Sequence, residues 1–197
     1  NGTVAFFKRR TKDAYRDPQY LPAIKRLTHT KPQFVLLHLR KASIGNVSLV
    51  NTHPFTVGGY SFCHNGSIFQ FHRIPLTPKS VSQIKGTTDS ERFFHYLLEQ
   101  IPEKASAAAV RKTFIAAIRF VRRTCDYTAM NMLLTNGKTL WAVREVNMHN
   151  REVRRKKLLD YYTLYAGTDA WKRGVLVSSE PLEVPGLRWK PIANHRL

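Results

Sequence analysis

The chain has 197 residues, enough for one ordinary domain or two small ones, with a core that needs no disulfide or metal staple. A hydrophobic fraction of 43%, with 11 Phe and 8 Tyr, excludes a disordered or collagenous polypeptide. Lys and Arg number 32 against 13 Asp and Glu, and the resulting net charge of +19 favours contact with polyanions: nucleic acid, an anionic surface or an acidic partner. Cys63 and Cys125 can make at most one bridge, so a reducing compartment, the cytoplasm, is expected. Every apolar run is interrupted well short of the roughly 18 residues that span a bilayer.

The chain opens on Asn1-Gly2, and Thr3–Phe7 running into Lys8-Arg9-Arg10 reads as a strand already under way rather than a signal peptide, a start that looks like a cut edge. Asp17-Pro18 opens a short helix carrying Leu21, Ile24 and Leu27. Phe34–Leu39 is an almost unbroken apolar run of strand length, as expected of a strand buried on both faces. Phe55–Phe62 predicts a hairpin turning at Gly58-Gly59. Thr88-Asp89-Ser90-Glu91 has the form of a capping box, and the helix behind it aligns Phe93, Phe94, Leu97, Leu98 and Ile101. A second helix from about Ser106 to Arg123 places Val110, Phe114, Ile118 and Val121 on one stripe. Ala129–Leu134, Asn136-Gly137 and Thr139–Val146 form a second predicted hairpin, and strands follow at Tyr161–Ala166 and Val175–Ser179. Strands, two helices, then strands again predicts an α+β fold, with helices packed on antiparallel sheets.

Four polar clusters stand beside these apolar elements: Arg40-Lys41-Ala42-Ser43, Asn51-Thr52-His53-Pro54-Phe55, Cys63-His64-Asn65-Gly66 and Thr87-Thr88-Asp89-Ser90-Glu91. Singly, each has a plain structural explanation: a charge at a strand end, a turn, a tight Asn-Gly turn, a helix cap. Together, in this order and with Asn1-Gly2 before them and Ser178-Ser179-Glu180-Pro181 after them, they resemble the class II glutamine amidotransferases, in particular the small stand-alone branch that includes γ-glutamyl amidohydrolases. The resemblance spans nearly the whole chain. It implies a single domain over residues 1–197, built as a four-layer αββα sandwich of the N-terminal-nucleophile hydrolase type, lacking only its first strand and helix.

The same resemblance assigns roles. In the family an N-terminal Cys attacks the side-chain amide of glutamine, with its own α-amino group as general base and no metal or cofactor. Arg40 matches the arginine that grips the substrate α-carboxylate, and Asp89 the carboxylate that receives its α-ammonium. Asn65 and the Gly66 N–H match the oxyanion hole, with both donors expected on one side of a tight turn. Asn51, Thr52 and His53 match a loop bordering the substrate; His53 and His64 read as structural, since the α-amino group already fills the base role. The nucleophile is the departure, because no Cys stands at the start. Cys63 and Cys125 read as buried small hydrophobes. Two readings stay open: an N-terminal Cys segment upstream of Asn1, or a degenerate relative serving as a polyanion-associated scaffold. The intact set of Arg40, Asn65, Gly66 and Asp89 favours the first, because nothing holds such a set together once catalysis is lost.

The charge calls for a separate account. Lys8-Arg9-Arg10, Arg119-Arg122-Arg123 and Arg151 with Arg154-Arg155-Lys156-Lys157 are the densest basic runs, and each reads either as a solvated face or as a contact with RNA, DNA or an acidic partner. No sequence-reading nucleic-acid motif accompanies them. Tyr161, Tyr162 and Tyr165 could stack bases but read as strand residues.

Overall fold

The computed structural model describes residues 7–40, 43–169 and 174–196, so most of the expected first strand, Thr3–Phe7, lies outside the described residues. Helix α1 (Tyr20–Thr30) forms where Leu21, Ile24 and Leu27 predicted it, and is followed by Lys31 in the left-handed region at φ 43°.

Strands β1 (Phe55–Val57), β2 (Tyr60–Ile68), β3 (Tyr127–Thr135) and β4 (Leu140–Val143) make an antiparallel sheet in that order. Gly58 and Gly59, at φ 58° and 82°, turn the first hairpin as expected of two consecutive positive-φ positions. In the second hairpin the Asn136 side-chain oxygen accepts the N–H groups of Lys138 and Thr139 at 3.0 and 2.9 Å, which is why an asparagine serves there.

Helices α3 (Asp89–Gln100) and α4 (Ala107–Thr124) cover one face of this sheet. Phe62 on β2 stacks on Phe93 and Phe94 at centroid separations of 5.9 and 5.1 Å, and Phe114 on α4 meets Phe93 at 6.3 Å. With Met130, Met132, Leu134, Val110, Ile118 and Val121 these rings are the main core. Strand alternation decides which residues join it. Phe62 and His64 point toward the helices, so Ser61, Cys63 and Asn65 belong to the opposite face. A short α2 (Pro78–Gln83) precedes α3; its cap Thr77 and first-turn Pro78 are a start signal that hydrophobic periodicity alone passes over.

A second antiparallel sheet has the order β6-β5-β7, with β5 (Tyr165–Asp169) between β6 (Val175–Ser178) and β7 (Leu187–Pro191). Gly167 lies under Trp189, where a Cβ would fall 2.8 Å from the indole ring. Helix α5 (Arg151–Arg155) occupies the basic segment between the sheets. The residues after β7 bind back to the first sheet: Arg144 N–H donates to Arg196 O at 3.0 Å, and Asn194 exchanges side-chain bonds with the Val146 backbone at 2.7 and 3.0 Å.

Helices with two antiparallel sheets match the predicted α+β order, with corrections. Tyr161 and Tyr162 are not strand residues; backbone bonds from Tyr162 N to Leu158 O and Thr163 N to Asp160 O curl this stretch into turns, and β5 begins at Tyr165. Phe34–Leu39 is extended but not buried on both faces. Val35, Leu37 and Leu39 are 52%, 56% and 67% exposed, and among the described residues no backbone hydrogen bond pairs this segment with any strand. Among the described residues no helix is long and apolar enough to cross a membrane.

Candidate active site

The site is organised by an irregularity in β2. Its pairing with β3 runs in register from Ser61↔Thr135 to Gly66↔Met130 and then shifts before Ile68↔Tyr127. Asn65 and Gly66 thus sit inside a continuous strand at a bulge, and not in the tight turn that Asn-Gly predicts, because the neighbouring β3 holds them in the ladder. Gly66 is required there: its φ is 143°, and a Cβ would lie 1.9 Å from the Ala129 carbonyl oxygen. The bulge turns two N–H groups toward side chains. Ser67 N–H donates to Thr128 Oγ1 at 3.0 Å, and Ile68 N–H to Asp89 Oδ2 at 2.7 Å.

Asp89 therefore ties the start of α3 to the bulge beside Asn65. Thr88 caps that helix by accepting the Glu91 N–H at 3.2 Å. The reciprocal half of the capping box is absent: Glu91 instead accepts the N–H groups of Lys85 and Gly86 at 3.0 and 2.7 Å, bracing the incoming loop. His64 is buried beside Asp89, with Nδ1 4.0 Å from Oδ2 and 2.9 Å from Ser90 Oγ. Its Nε2–H donates to Ala129 O at 3.1 Å, so both ring nitrogens have partners. Burial pushes its pKa below the usual imidazole range against the pull of Asp89, which suits a neutral structural histidine.

Asn65 is half-buried on the sheet face away from α3, and its side-chain amide makes no hydrogen bond among the described residues. Arg40 approaches from the end of the Phe34–Leu39 segment. Its guanidinium donates to the carbonyls of Ile44, Gly45 and Asn46 at 2.6, 3.4 and 3.4 Å; partial burial brings its pKa below the usual guanidinium value, and the Asp89 charge opposes that in part. Asn51 is buried and staples loop to loop: Oδ1 accepts Thr87 N–H at 2.8 Å, while Nδ2 reaches Asn46 O, Asn46 Oδ1 and Thr87 Oγ1 at 3.1, 2.7 and 3.2 Å. Thr52 Oγ1 donates to Ser48 O at 2.7 Å. These bonds engage Asn51 and Thr52 within the loop; Arg40 lies within electrostatic reach of Asp89, and Asp89 is bonded to the bulge that follows Asn65 and Gly66.

His53 is only 5% exposed, and neither ring nitrogen has a partner. It packs on His38 at 4.2 Å between centroids with the rings tilted by 36°, and meets the Phe55 edge at 4.7 Å. His38 Nε2–H donates to His64 O at 3.1 Å, leaving Nδ1 open. Burial brings the His38 pKa down to about 4 and holds that of His53 well below the imidazole range. The lone polar residue in Phe34–Leu39 was the signal for His38, which sequence reasoning passed over. Both rings border a cavity of about 450 Å³ between Phe34–Leu39, Ile24 and Leu27 of α1, and Ser61 and Thr135 of the sheet. Cys63, on β2 nearby, is buried, and desolvation pushes its thiol up to about 12, which rules out a thiolate near neutral pH. Of the basic candidates, Arg151, Arg154 and Arg155 border a separate cavity of about 430 Å³ with His149, whereas Lys156 pairs with Glu152 at 2.7 Å and Lys157 follows at a φ of 51°.

Compared with known families, residues 4–194 match the model of the class-II glutamine amidotransferases, nearly the whole chain. The chain belongs to this family. Two amidotransferase relatives illustrate the match. "Putative glutamine amidotransferase" of Haemophilus influenzae is 30% identical over 157 residues, covering 74% of this chain and 52% of the relative. "Putative glutamine amidotransferase YafJ" of Escherichia coli is 29% identical over 160 residues, covering 74% and 60%. The chain thus spans about half the length of these amidotransferases. Among solved structures, a glutamine aminotransferase class-II domain protein from Silicibacter pomeroyi superposes with a TM-score of 0.61 at 21% identity, covering 95% of this chain and 77% of the other. A glutamine amidotransferase structure from Pseudomonas aeruginosa gives 0.54 at 21% identity, covering 75% and 61%. At these identities the likeness is one of fold, shared by an amidotransferase domain with the same mixture of helices and antiparallel sheets.

Proposed function

We propose that this amidotransferase domain acts on the side-chain amide of glutamine or a γ-glutamyl compound, with the nucleophilic Cys on a segment preceding Asn1. The observation that carries the reading is the segment Phe34–Leu39, unpaired among the described residues, beside the cavity of about 450 Å³. An extended segment laid there pairs with the open backbone of Phe34–Leu39 and covers Val35, Leu37 and Leu39. Running beside the stretch that ends at Arg40, such a segment would bring its first residue toward Arg40 and Asp89. Adding that strand and its following helix would complete the four-layer sandwich expected of the single domain over residues 1–197.

The chemistry then follows from the groups in place. Arg40 turns its fork from the loop carbonyls to the substrate α-carboxylate. Asp89 uses one of its roughly four acceptor positions on the Ile68 N–H, the Ser90 hydroxyl proton going to His64 Nδ1, and offers the rest to the α-ammonium. The Cys thiolate attacks the amide carbon, and the tetrahedral oxyanion is held by the free Asn65 amide and the Gly66 N–H. The C–N bond breaks as the α-ammonium of Cys returns a proton to the leaving ammonia. Water cleaves the thioester and releases the γ-carboxylate.

Glutamate release is measured for the protein carrying its preceding residues and for the 197-residue chain alone. Turnover only in the longer protein, lost on replacing its N-terminal Cys by Ala, is the expected result. Turnover by the 197-residue chain that survives Cys63→Ser overturns it.

A further inference from the structure

Two basic runs that are distant in sequence meet at one end of the fold. Arg122 and Arg123 occupy the last turn of α4, and the chain then passes through Asp126 into β3. Helix α5 docks at the same place: Asn150 Nδ2 donates to both Asp126 carboxylate oxygens at 3.2 and 3.1 Å, and Asn147 Nδ2 donates to Oδ1 at 3.2 Å. Arg73 joins through its bond to Thr124 O at 3.4 Å. On α5, Arg151, Arg154 and Arg155 stand at i, i+3 and i+4 and so share a face. Together with His149 they line the cavity of about 430 Å³.

The carboxylates at this end are committed elsewhere. Asp126 serves Asn147, Asn150 and the Tyr127 N–H at 2.8 Å. Glu145 is buried between Tyr127 Oη at 2.7 Å, His195 Nδ1 at 2.8 Å and Arg122 at 3.6 Å. Glu152 holds Lys156. The side chains of Arg151, Arg154 and Arg155 therefore make no ion pair or hydrogen bond among the described residues.

We propose that this end of the molecule binds the phosphodiester backbone of single-stranded nucleic acid without reading its sequence. Guanidinium forks match phosphate oxygens two at a time, and three of them facing one concavity have no partner inside the protein. With Arg73, Arg122 and Arg123 at the same end, the cations are more numerous than one small anion needs and suit a run of phosphates. The concave lining fits a strand and not a flat lipid surface. It contains no Phe, Tyr or Trp, so the contacts it offers are to phosphate and not to particular bases.

The test is fluorescence anisotropy of a mixed-sequence single-stranded RNA with the full chain between 50 and 200 mM NaCl. Each phosphate contact contributes about 0.7 to the slope of log affinity against log salt for single strands. Three contacts thus amount to about 2, or roughly a 20-fold difference in affinity loss across this range. Arg151→Gln, Arg154→Gln and Arg155→Gln combined should flatten the slope by that amount, while the triple Arg→Lys variant keeps most of it. Lys79→Gln, Lys104→Gln and Lys112→Gln remove the same charge elsewhere and should leave the slope unchanged. Circular dichroism confirms that each variant is folded. Equal losses in the two glutamine triples would mean diffuse attraction and overturn the site. Displacement of RNA by tripolyphosphate at equal phosphate concentration, or equally tight binding to phosphatidylserine vesicles, would overturn the choice of ligand.

Discussion

Asp89 offers a sharp separation of scaffold from chemistry, since the proposed function gives one carboxylate both tasks. Its Oδ2 accepts the Ile68 N–H at 2.7 Å, and Ile68 is fully buried, so no water replaces a lost acceptor. Asp89→Ala removes a hydrogen bond to a charged group, which accounts for about 1.5–3 kcal/mol, and strands a buried donor within the same figure. For a chain of 197 residues each kcal/mol moves Tm by roughly 2–4 °C, so a loss near 3 kcal/mol lowers it by about 6–12 °C. Asp89→Asn is nearly isosteric; its amide oxygen can still accept from Ile68, and the loss should stay near 1 kcal/mol. In the catalytically complete protein both variants lose glutamine binding, because neither supplies a negative charge to the α-ammonium. Urea unfolding of the 197-residue chain measures the first effect, and KM for glutamine in the longer protein measures the second. Equal stability of Asp89→Ala and Asp89→Asn would refute the clamp. Undiminished glutamine affinity in Asp89→Asn would refute the ammonium contact and leave Asp89 with a structural task alone.

Gly66→Ala should fail to fold or lose at least about 3 kcal/mol, because a positive φ and a carbonyl 1.9 Å from the new methyl act together; soluble yield and urea melts report it. Below pH 6.5 the unfolded chain binds protons that His38 refuses until about pH 4, so stability is constant above that window and falls as pH drops through it. The His38 share is up to about 3 kcal/mol, read as the difference between the parent and His38→Gln in melts from pH 4 to 7.5; parallel curves would contradict it. Cys63 should resist thiol reagents in the native state and become reactive on unfolding, since its thiol stays protonated up to about 12. In the longer protein Asn65→Ala should lower kcat by about 10²–10³ with little change in glutamine binding, as expected for a donor used only on the oxyanion.

What was legible in the sequence follows the range of the interactions involved. The stripes of α3 and α4 and the hairpin turns at Gly58-Gly59 and Asn136-Gly137 depend on neighbours a few residues away, and they appear where periodicity and turn chemistry put them. Asn65-Gly66 misled because the local preference for a turn is overridden by β3, which lies some 65 residues later and holds the pair in a strand. Phe34–Leu39 misled for the opposite reason: its composition announces a doubly covered strand, but the described residues supply no strand to pair with it. The order of Arg40, Asn65, Gly66 and Asp89 was visible as motif. That Asp89 clamps the bulge beside Asn65, and that His38 and His53 pack together with open nitrogens, are three-dimensional facts with no counterpart in spacing.

Glu145 closes the molecule in time as well as in space. Its partners Arg122 and Tyr127 precede it in the chain, whereas His195 is made 50 residues afterwards. Synthesis proceeds from the N-terminus, so a nascent chain carries this carboxylate, destined for burial, with its set of partners unfinished until Asn194–Arg196 have emerged. A buried charge short of partners costs several kcal/mol, so the region around Glu145 cannot close before that moment. Ribosome-bound intermediates of this domain should therefore stay protease-sensitive until Asn194–Arg196 have left the exit tunnel and become resistant in a single step.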